Sequence, residues 1–156
     1  MSKIKIVLVA ILVIMVAIQF VQPARNQSVQ VSTVGIASVA DVPANIQAIF
    51  QNSCYDCHSN NTRYPWYATI QPVAWLMTYH IEEGKAELNF DEFGNYSKRR
   101  QLSKLKAIRG SVEDESMPLA SYTFIHKGSI LSKTDQILLK DWTEIARNEI
   151  SSQVRD

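Results

Sequence analysis

Cysteine is scarce in this 156-residue chain, which contains only Cys54 and Cys57. Two cysteines allow one disulfide at most, and none remains to complete a zinc site of the C-x-x-C…C-x-x-C kind. No cysteine lies directly after the apolar stretch at the N-terminus, so the sequence offers no site for a lipoprotein anchor. A disulfide framework and a four-cysteine zinc site are therefore excluded.

Net charge is also small, at +1, and this gives no reason to expect nucleic acid as a partner. The charge is unevenly distributed, because the first 25 residues contain Lys3, Lys5 and Arg25 but no acid. The remaining 13 basic and 15 acidic residues leave that part of the chain near −2. No internal repeat or low-complexity run is visible.

The N-terminal segment, residues 1–22, is predicted to be a signal-anchor or a signal peptide. Thirteen apolar residues run without interruption from Ile6 to Ile18 behind two lysines. Ala24 could end a cleavage site, but Gln22 stands where a second small residue is needed, so we favour an uncleaved membrane helix. The lysines would keep the N-terminus cytoplasmic. The rest of the chain is then expected in the periplasm, anchored to the inner membrane.

The remainder is predicted to be all-α. Residues 23–41 form a polar tether, 42–150 a folded domain and 151–156 a tail. Apolar residues recur at helical spacing in four stretches. The first predicted helix is capped by Asp41 and runs to about Cys54, and the second spans Pro72–Glu83 and is ended by Gly84. The third is capped by Ser97 and runs to about Arg109, before Gly110. The fourth is capped by Ser132 and runs to about Ile150.

The chemistry of the chain is concentrated in Cys54-Tyr55-Asp56-Cys57-His58. C-x-x-C-H is the attachment motif of c-type haem, in which the two thiols form thioethers with the haem vinyl groups. The histidine is then an axial ligand of the iron. The sequence therefore predicts one covalent haem held by Cys54, Cys57 and His58.

Aromatic residues follow this motif closely. Tyr64, Trp66 and Tyr67 surround Pro65 and are predicted to form apolar walls for the haem. Arg63 is a candidate partner for a haem propionate. An aromatic corner that closes a small core is the alternative interpretation.

The sixth iron ligand decides between functions, and four side chains are candidates. Met77 and His80 lie on an apolar helical face, where core packing is the more ordinary role. Met117 is favoured over them and over His126, because it lies in a loop before Pro118 and has no helical packing role. A methionine there would give a six-coordinate iron, and an open position would allow gas or peroxide to bind.

The order of these features resembles class I cytochromes c. More closely, it is similar to the cytochrome-c-like haem-binding domain family of bacterial envelope proteins over about residues 40–150. The shared motifs are Cys54–Asn60, Tyr64–Tyr67, Gln71–Val73, Gly84–Lys85, Leu88–Phe90 and Met117–Pro118. The resemblance implies a helical bundle around covalent haem, with His58 as proximal and Met117 as distal ligand. It also implies that a backbone carbonyl, from Pro65 or Pro72, orients the His58 ring.

Three functions fit these features. The favoured one is a non-enzymatic, membrane-tethered electron carrier that serves a redox partner which the sequence does not identify. The second is a haem-based sensor or small peroxidase-like enzyme with a displaceable sixth ligand. The third takes C-x-x-C as a thiol–disulfide centre, which usually follows a strand. No strand pattern precedes Cys54, so this function is disfavoured.

Overall fold

The computed structural model describes residues 2–28, 30 and 32–152 and confirms the predicted all-α fold. Within this part of the chain, an isolated bridge between Gln27 and Asn61 is the only strand-like pairing. The α-helices are α1 (Lys3–Ala17), α2 (Ala44–Ser53), α3 (Tyr55–His58), α4 (Val73–Glu87), α5 (Lys98–Glu113), α6 (Ala120–Ile125) and α7 (Lys133–Ser152). Short 3-10 turns connect several of them.

Helix α1 extends as a 3-10 turn over Ile18–Phe20, and this apolar stretch buries no residue in the protein. Lys3–Phe20 is long and apolar enough to cross a membrane. A signal sequence would meet the same criterion, so helix α1 fits either an anchor or a signal segment.

The core forms where α2, α5 and α7 meet. Phe50 from α2, Leu105 from α5 and Leu139 from α7 are fully buried. The Phe50 ring meets Trp142 edge to face, with 5.2 Å between ring centroids. Such pairs add to the stabilisation that comes from apolar burial. Most residues of the apolar stripes predicted for these helices therefore form the core or pack against it, whereas Ile145 of α7 is exposed.

The predicted caps of two helices are confirmed. The Ser97 side chain accepts a hydrogen bond from the Arg100 amide at the start of α5. At the start of α7, Ser132 Oγ accepts from the Asp135 amide at 3.1 Å, and the Asp135 carboxylate accepts from the Ser132 amide at 3.0 Å. This reciprocal pair satisfies two backbone donors that the helix cannot satisfy itself.

Three predicted helix limits are wrong. Helix α2 begins at Ala44, with Pro43 rather than Asp41 in the capping position, and the Asp41 carbonyl instead accepts a hydrogen bond from Trp142 Nε1. Helix α4 continues through Gly84, and α5 continues three residues beyond Gly110. Both glycines lie inside helices because tertiary packing outweighs their weak helix propensity.

The segment 23–41, predicted as a polar tether, lies against the folded domain. Asn26 Nδ2 donates to the Ser59 carbonyl at 2.8 Å and to Thr62 Oγ1 at 2.9 Å. Further along, Ile36 is buried, and the Gly94 amide donates to the Val34 carbonyl at 2.7 Å. Of the predicted tail, residues 151–152 complete α7, and 153–156 lie outside the described residues.

Candidate functional site

The C-x-x-C-H motif forms its own short helix. Cys54 ends α2 with a bent backbone, and α3 then carries Asp56, Cys57 and His58. The motif helix therefore starts directly from the core helix α2. Cys54, Cys57 and His58 together line a cavity of about 420 Å³. A cavity of this size lies within the range of about 300–1,000 Å³ that is typical of small-molecule and cofactor sites.

Two other segments complete the cavity. Helix α4 supplies one wall, and the stretch from Met117 through α6 supplies another. Most of the side chains that these two segments contribute are apolar or aromatic. The apolar and aromatic ones are Val73, Leu76, Met77, Tyr79, Ile81, Met117, Pro118, Leu119, Tyr122 and Ile125. The cavity thus combines two thiols and an imidazole with apolar walls, which suits a large flat apolar group with a metal centre.

The close approach of α4 to the motif helix depends on Gly84. A Cβ atom at this position would lie 2.7 Å from the Cys57 carbonyl oxygen, well inside van der Waals contact. Gly84 was predicted to end its helix, but its role is to let two backbones meet. Position 84 therefore has no side chain at the point where α4 contacts the motif helix.

The His58 ring is oriented by Leu88. Its Nδ1 atom lies 2.9 Å from the Leu88 carbonyl oxygen. A carbonyl can only accept, so Nδ1 carries the proton and Nε2 is left with a lone pair for a metal. The expected partners were Pro65 and Pro72, and this expectation is wrong. Their carbonyls instead accept the backbone amides of Ala68 and Leu76, which close local turns.

A polar network holds the Leu88 carbonyl in place. The buried Asn89 donates from Nδ2 to Asn60 Oδ1 at 2.9 Å and accepts from the Asp91 amide at 3.0 Å. Asp91 in turn accepts from the Asn60 amide at 2.7 Å. Because Asn60 follows His58 by two residues, the network ties the motif to the segment that orients its imidazole.

Both thiols are partly enclosed. Burial raises the pKa of the Cys54 thiol to about 12, and the neighbouring Cys57 adds to the shift. Burial, followed by the charge of Asp56, raises the pKa of Cys57 to about 11. The thiols are therefore protonated near neutral pH, unlike the reactive thiolates of thiol–disulfide centres.

Asp56, between the two cysteines, is the polar centre of the site. Its carboxylate accepts hydrogen bonds from the Tyr122 hydroxyl at 2.7 Å and from Arg63 Nε at 3.1 Å. Burial and this carboxylate raise the pKa of Tyr122. Arg63, predicted as a propionate partner, lines the cavity, but its guanidinium pairs with Asp56 and the Gln51 carbonyl.

The three predicted aromatic residues do not come together. Tyr67 lines the cavity and shares a hydrogen bond with His126 Nε2. The hydroxyl of Tyr64 accepts from the Asn26 amide at 2.8 Å, outside the cavity. Trp66 is 79% exposed and also lies outside it. Of the predicted aromatic wall, only Tyr67 is found at the cavity.

All four candidates for the sixth ligand line the same cavity. Met117 lies in the loop between α5 and α6, as predicted, and is 39% exposed. His126 is already engaged, because Tyr67 bonds its Nε2 and the Tyr122 ring stacks on it at 4.4 Å between centroids. Met77 and His80 come from α4. Met117 is thus free of the hydrogen bonds that occupy His126.

Sequence reasoning missed three parts of the site. Helix α6, with Tyr122, is too short to show periodicity and lacks a capping residue. The role of Leu88 and Asn89 arises from a contact 30 residues from His58, which no local pattern encodes. Both residues were nevertheless within a motif shared with the resembled family. The third missed part is Asp56, which accepts hydrogen bonds from Tyr122 and Arg63. Its position between the two cysteines of the motif could have indicated a role in the site.

These features define an all-helical protein with a cofactor cavity built on a C-x-x-C-H helix. The haem-binding domain family matches residues 13–145, so the chain belongs to that family. No curated protein and no solved structure matches the chain. Haem binding therefore follows from the family, and the geometry of the cavity agrees with it.

Proposed function

We propose that this protein carries one covalent c-type haem and transfers electrons at the periplasmic face of the membrane. The observation that carries the proposal is the donor set on a single cavity wall: two thiols, and an imidazole whose Nδ1 is bonded to Leu88. Cys54 and Cys57 would hold the haem as thioethers, and His58 Nε2 would be its proximal ligand. When bound, the haem supplies a reversible one-electron change between Fe(III) and Fe(II).

Met117 is proposed as the distal ligand. It lines the same cavity as His58 but comes from a separate loop. A neutral thioether favours Fe(II), so His/Met ligation raises the reduction potential. The protein side chains would contribute by orienting His58, enclosing the haem with apolar walls and offering Met117 as a second axial ligand, which suits electron transfer rather than catalysis.

The proposed location of the protein rests on its N-terminal segment. Helix α1 is proposed to be retained as an inner-membrane anchor. Gln19 and Gln22 hydrogen-bond to residues of the folded domain, and these contacts would be lost if cleavage removed residues 1–22. Lys3 and Lys5, in the first turn of α1, favour the cytoplasmic side for this end of the helix, which would leave the haem-binding domain in the periplasm.

The second candidate is a haem-based sensor or small peroxidase-like enzyme. The observation in its favour is the 39% exposure of Met117, since an accessible loop thioether can be displaced by a small ligand. A thiol–disulfide centre receives no such support, because both thiols have raised rather than lowered pKa values.

The proposal is tested on protein exported by a host that attaches haem c. Its mass should exceed the chain mass by one haem, and the increment should survive denaturation. The oxidised spectrum should show the thioether–iron band near the red edge of the visible range. Absence of the haem mass would rule out both the electron carrier and the haem-based sensor or peroxidase-like enzyme. Rapid carbon monoxide binding by the reduced native protein would favour the sensor.

A further inference from the structure

The end of the apolar helix is fastened to the haem-binding domain by a cluster of glutamine hydrogen bonds. The Gln71 amide donates to Gln19 Oε1 at 2.9 Å, and Gln71 Nε2 donates to the Val21 carbonyl at 2.7 Å. Gln22 Nε2 donates to the Thr69 carbonyl at 3.0 Å. Gln71 itself is 1% exposed, so its two bonds are partly shielded from water, whereas the bond between Gln22 and Thr69 is exposed. The domain therefore begins directly at the end of the helix.

The length of the apolar helix places this junction at a membrane boundary. The 15 residues of α1 and the three of the following 3-10 turn span about 28 Å. The hydrocarbon core of a bilayer is about 30 Å thick. When the helix crosses the bilayer, Gln19 and Gln22 lie at its periplasmic edge.

The surface beside this junction is apolar and aromatic. Ile70 precedes Gln71 and is exposed, and Trp66 and Trp75 lie within one or two turns of it and are also exposed. From Tyr64 to Ile81 the chain contains no Asp, Glu, Lys or Arg. Exposed tryptophans without charged neighbours are unusual on a water-facing surface but typical of the lipid headgroup region.

We propose that Trp66, Ile70 and Trp75 form a surface that rests in the headgroup region of the bilayer. This surface, together with the glutamine bonds, would fix the orientation of the haem-binding domain relative to the membrane. The inference rests on the proposed retention of α1 as an anchor. It adds a lipid partner and an orientation to the proposed function.

The orientation has a consequence for the cavity. Helix α4 carries Trp75 beside the cavity residues Leu76 and Tyr79. If Trp75 is held in the headgroup region, the cavity wall formed by α4 is therefore held close to the membrane surface. A carrier on a flexible tether would instead sample many orientations.

Fluorine NMR of the full-length, haem-loaded protein can test this surface. The chain contains three tryptophans, so 5-fluorotryptophan labelling gives three resonances, which Trp→Phe variants assign. The reduced protein is placed in phosphatidylcholine–phosphatidylglycerol nanodiscs that contain a phospholipid spin-labelled near its headgroup. We expect the resonances of Trp66 and Trp75 to be lost and that of Trp142, which is 4% exposed in the core, to remain.

The matched control is Ile137→Trp, at a 56% exposed position on α7, a helix that packs on α2 and α5. Its resonance should stay sharp, because exposure alone does not bring a residue to the lipid. Equal broadening of this control, or sharp Trp66 and Trp75 resonances, would overturn the lipid-facing surface.

The mass of the same sample separates this inference from the proposed function. Loss of residues 1–22 would overturn the inference and leave the haem assignment intact. A missing haem with Trp66 and Trp75 still broadened would overturn the proposed function and support the surface.

Discussion

Gly84 of α4 lies so close to Cys57 of the motif helix that a methyl group on its Cα would be 2.7 Å from the Cys57 carbonyl oxygen. The contact is between backbones, which cannot rotate away as a flexible side chain would. Every larger residue at position 84 must therefore push α4 away from the cysteines. The distance between α4 and the motif helix, which both line the cavity, is therefore set by the lack of a Cβ atom at position 84.

Gly84→Ala should destabilise the protein by about 1–3 kcal/mol, which is typical of overpacking at a closed contact. The matched control is Gly110→Ala, in α5, where an added Cβ meets nothing within 4 Å. Because alanine is the better helix former, this control should be unchanged or stabilised by up to about 1 kcal/mol. Urea unfolding followed by circular dichroism measures both. Equal stabilities of the two variants would contradict the close-contact role of Gly84.

The buried Asn89 should stabilise the protein and orient the proximal histidine. Asn89→Ala leaves Asn60 Oδ1 and the Asp91 amide without their partner, which should cost about 1–3 kcal/mol. A less constrained Leu88 carbonyl would also weaken the bond to His58 Nδ1 and make the imidazole a poorer electron donor. We therefore expect a higher reduction potential, measured by redox titration.

Asn95→Ala is the control for this variant, since Asn95 is exposed at the end of the 3-10 segment that Asn89 caps. It should change neither stability nor potential. A loss of stability in Asn89→Ala with an unchanged potential would show that Asn89 acts on the fold alone.

Much of this architecture was predictable because it is local. Helices α5 and α7 have capping serines and apolar stripes, and both begin where expected. The C-x-x-C-H motif is likewise contiguous, so Cys54, Cys57 and His58 could be predicted as site residues without any structure. Met117 was predicted because a loop methionine has no packing role to explain it, and all four line the same cavity.

The features that failed are those set by distant contacts. In the sequence, a glycine after an apolar helical pattern predicts the end of the helix. Only the close contact with the Cys57 backbone explains why a glycine is needed at position 84. The carbonyl that orients His58 comes from Leu88, 30 residues away, and any residue type supplies a carbonyl. Residue identity therefore carried no information about that bond.

The capping pair of α7 offers a test of local stability. Ser132→Ala removes the acceptor of the Asp135 amide and one donor to the Asp135 carboxylate. The expected loss is about 1 kcal/mol, typical of an N-cap serine. Thr134→Ala, at an exposed position in the first turn, should change the unfolding free energy by less than about 0.5 kcal/mol. A similar loss in both variants would show that the loss is not specific to the cap, because alanine is the better helix former and cannot lower stability through helix propensity.

The raised thiol pKa values predict slow alkylation before haem is attached. With a pKa of about 12 for Cys54 and about 11 for Cys57, iodoacetamide at pH 8 should react at least about 100-fold more slowly with folded than with unfolded protein. The unfolded thiols, with pKa near 8.5, lose protons first. Unfolding is therefore favoured, and stability falls, as pH rises from about 8.5 to 12. Rapid alkylation of folded protein at pH 8 would instead support a thiol–disulfide centre.

Met117 separates the carrier from the sensor. Met117→Ala should abolish the thioether–iron band, lower the reduction potential and allow rapid carbon monoxide binding, because the neutral ligand that favours Fe(II) is removed. Met77→Ala is the matched control, since it lines the same cavity from α4 and should keep the band. If the band persists in Met117→Ala and disappears in Met77→Ala, the ligand is Met77. If native protein lacks the band and binds carbon monoxide as fast as Met117→Ala does, the iron has an open site, as expected for a sensor or a peroxidase-like enzyme.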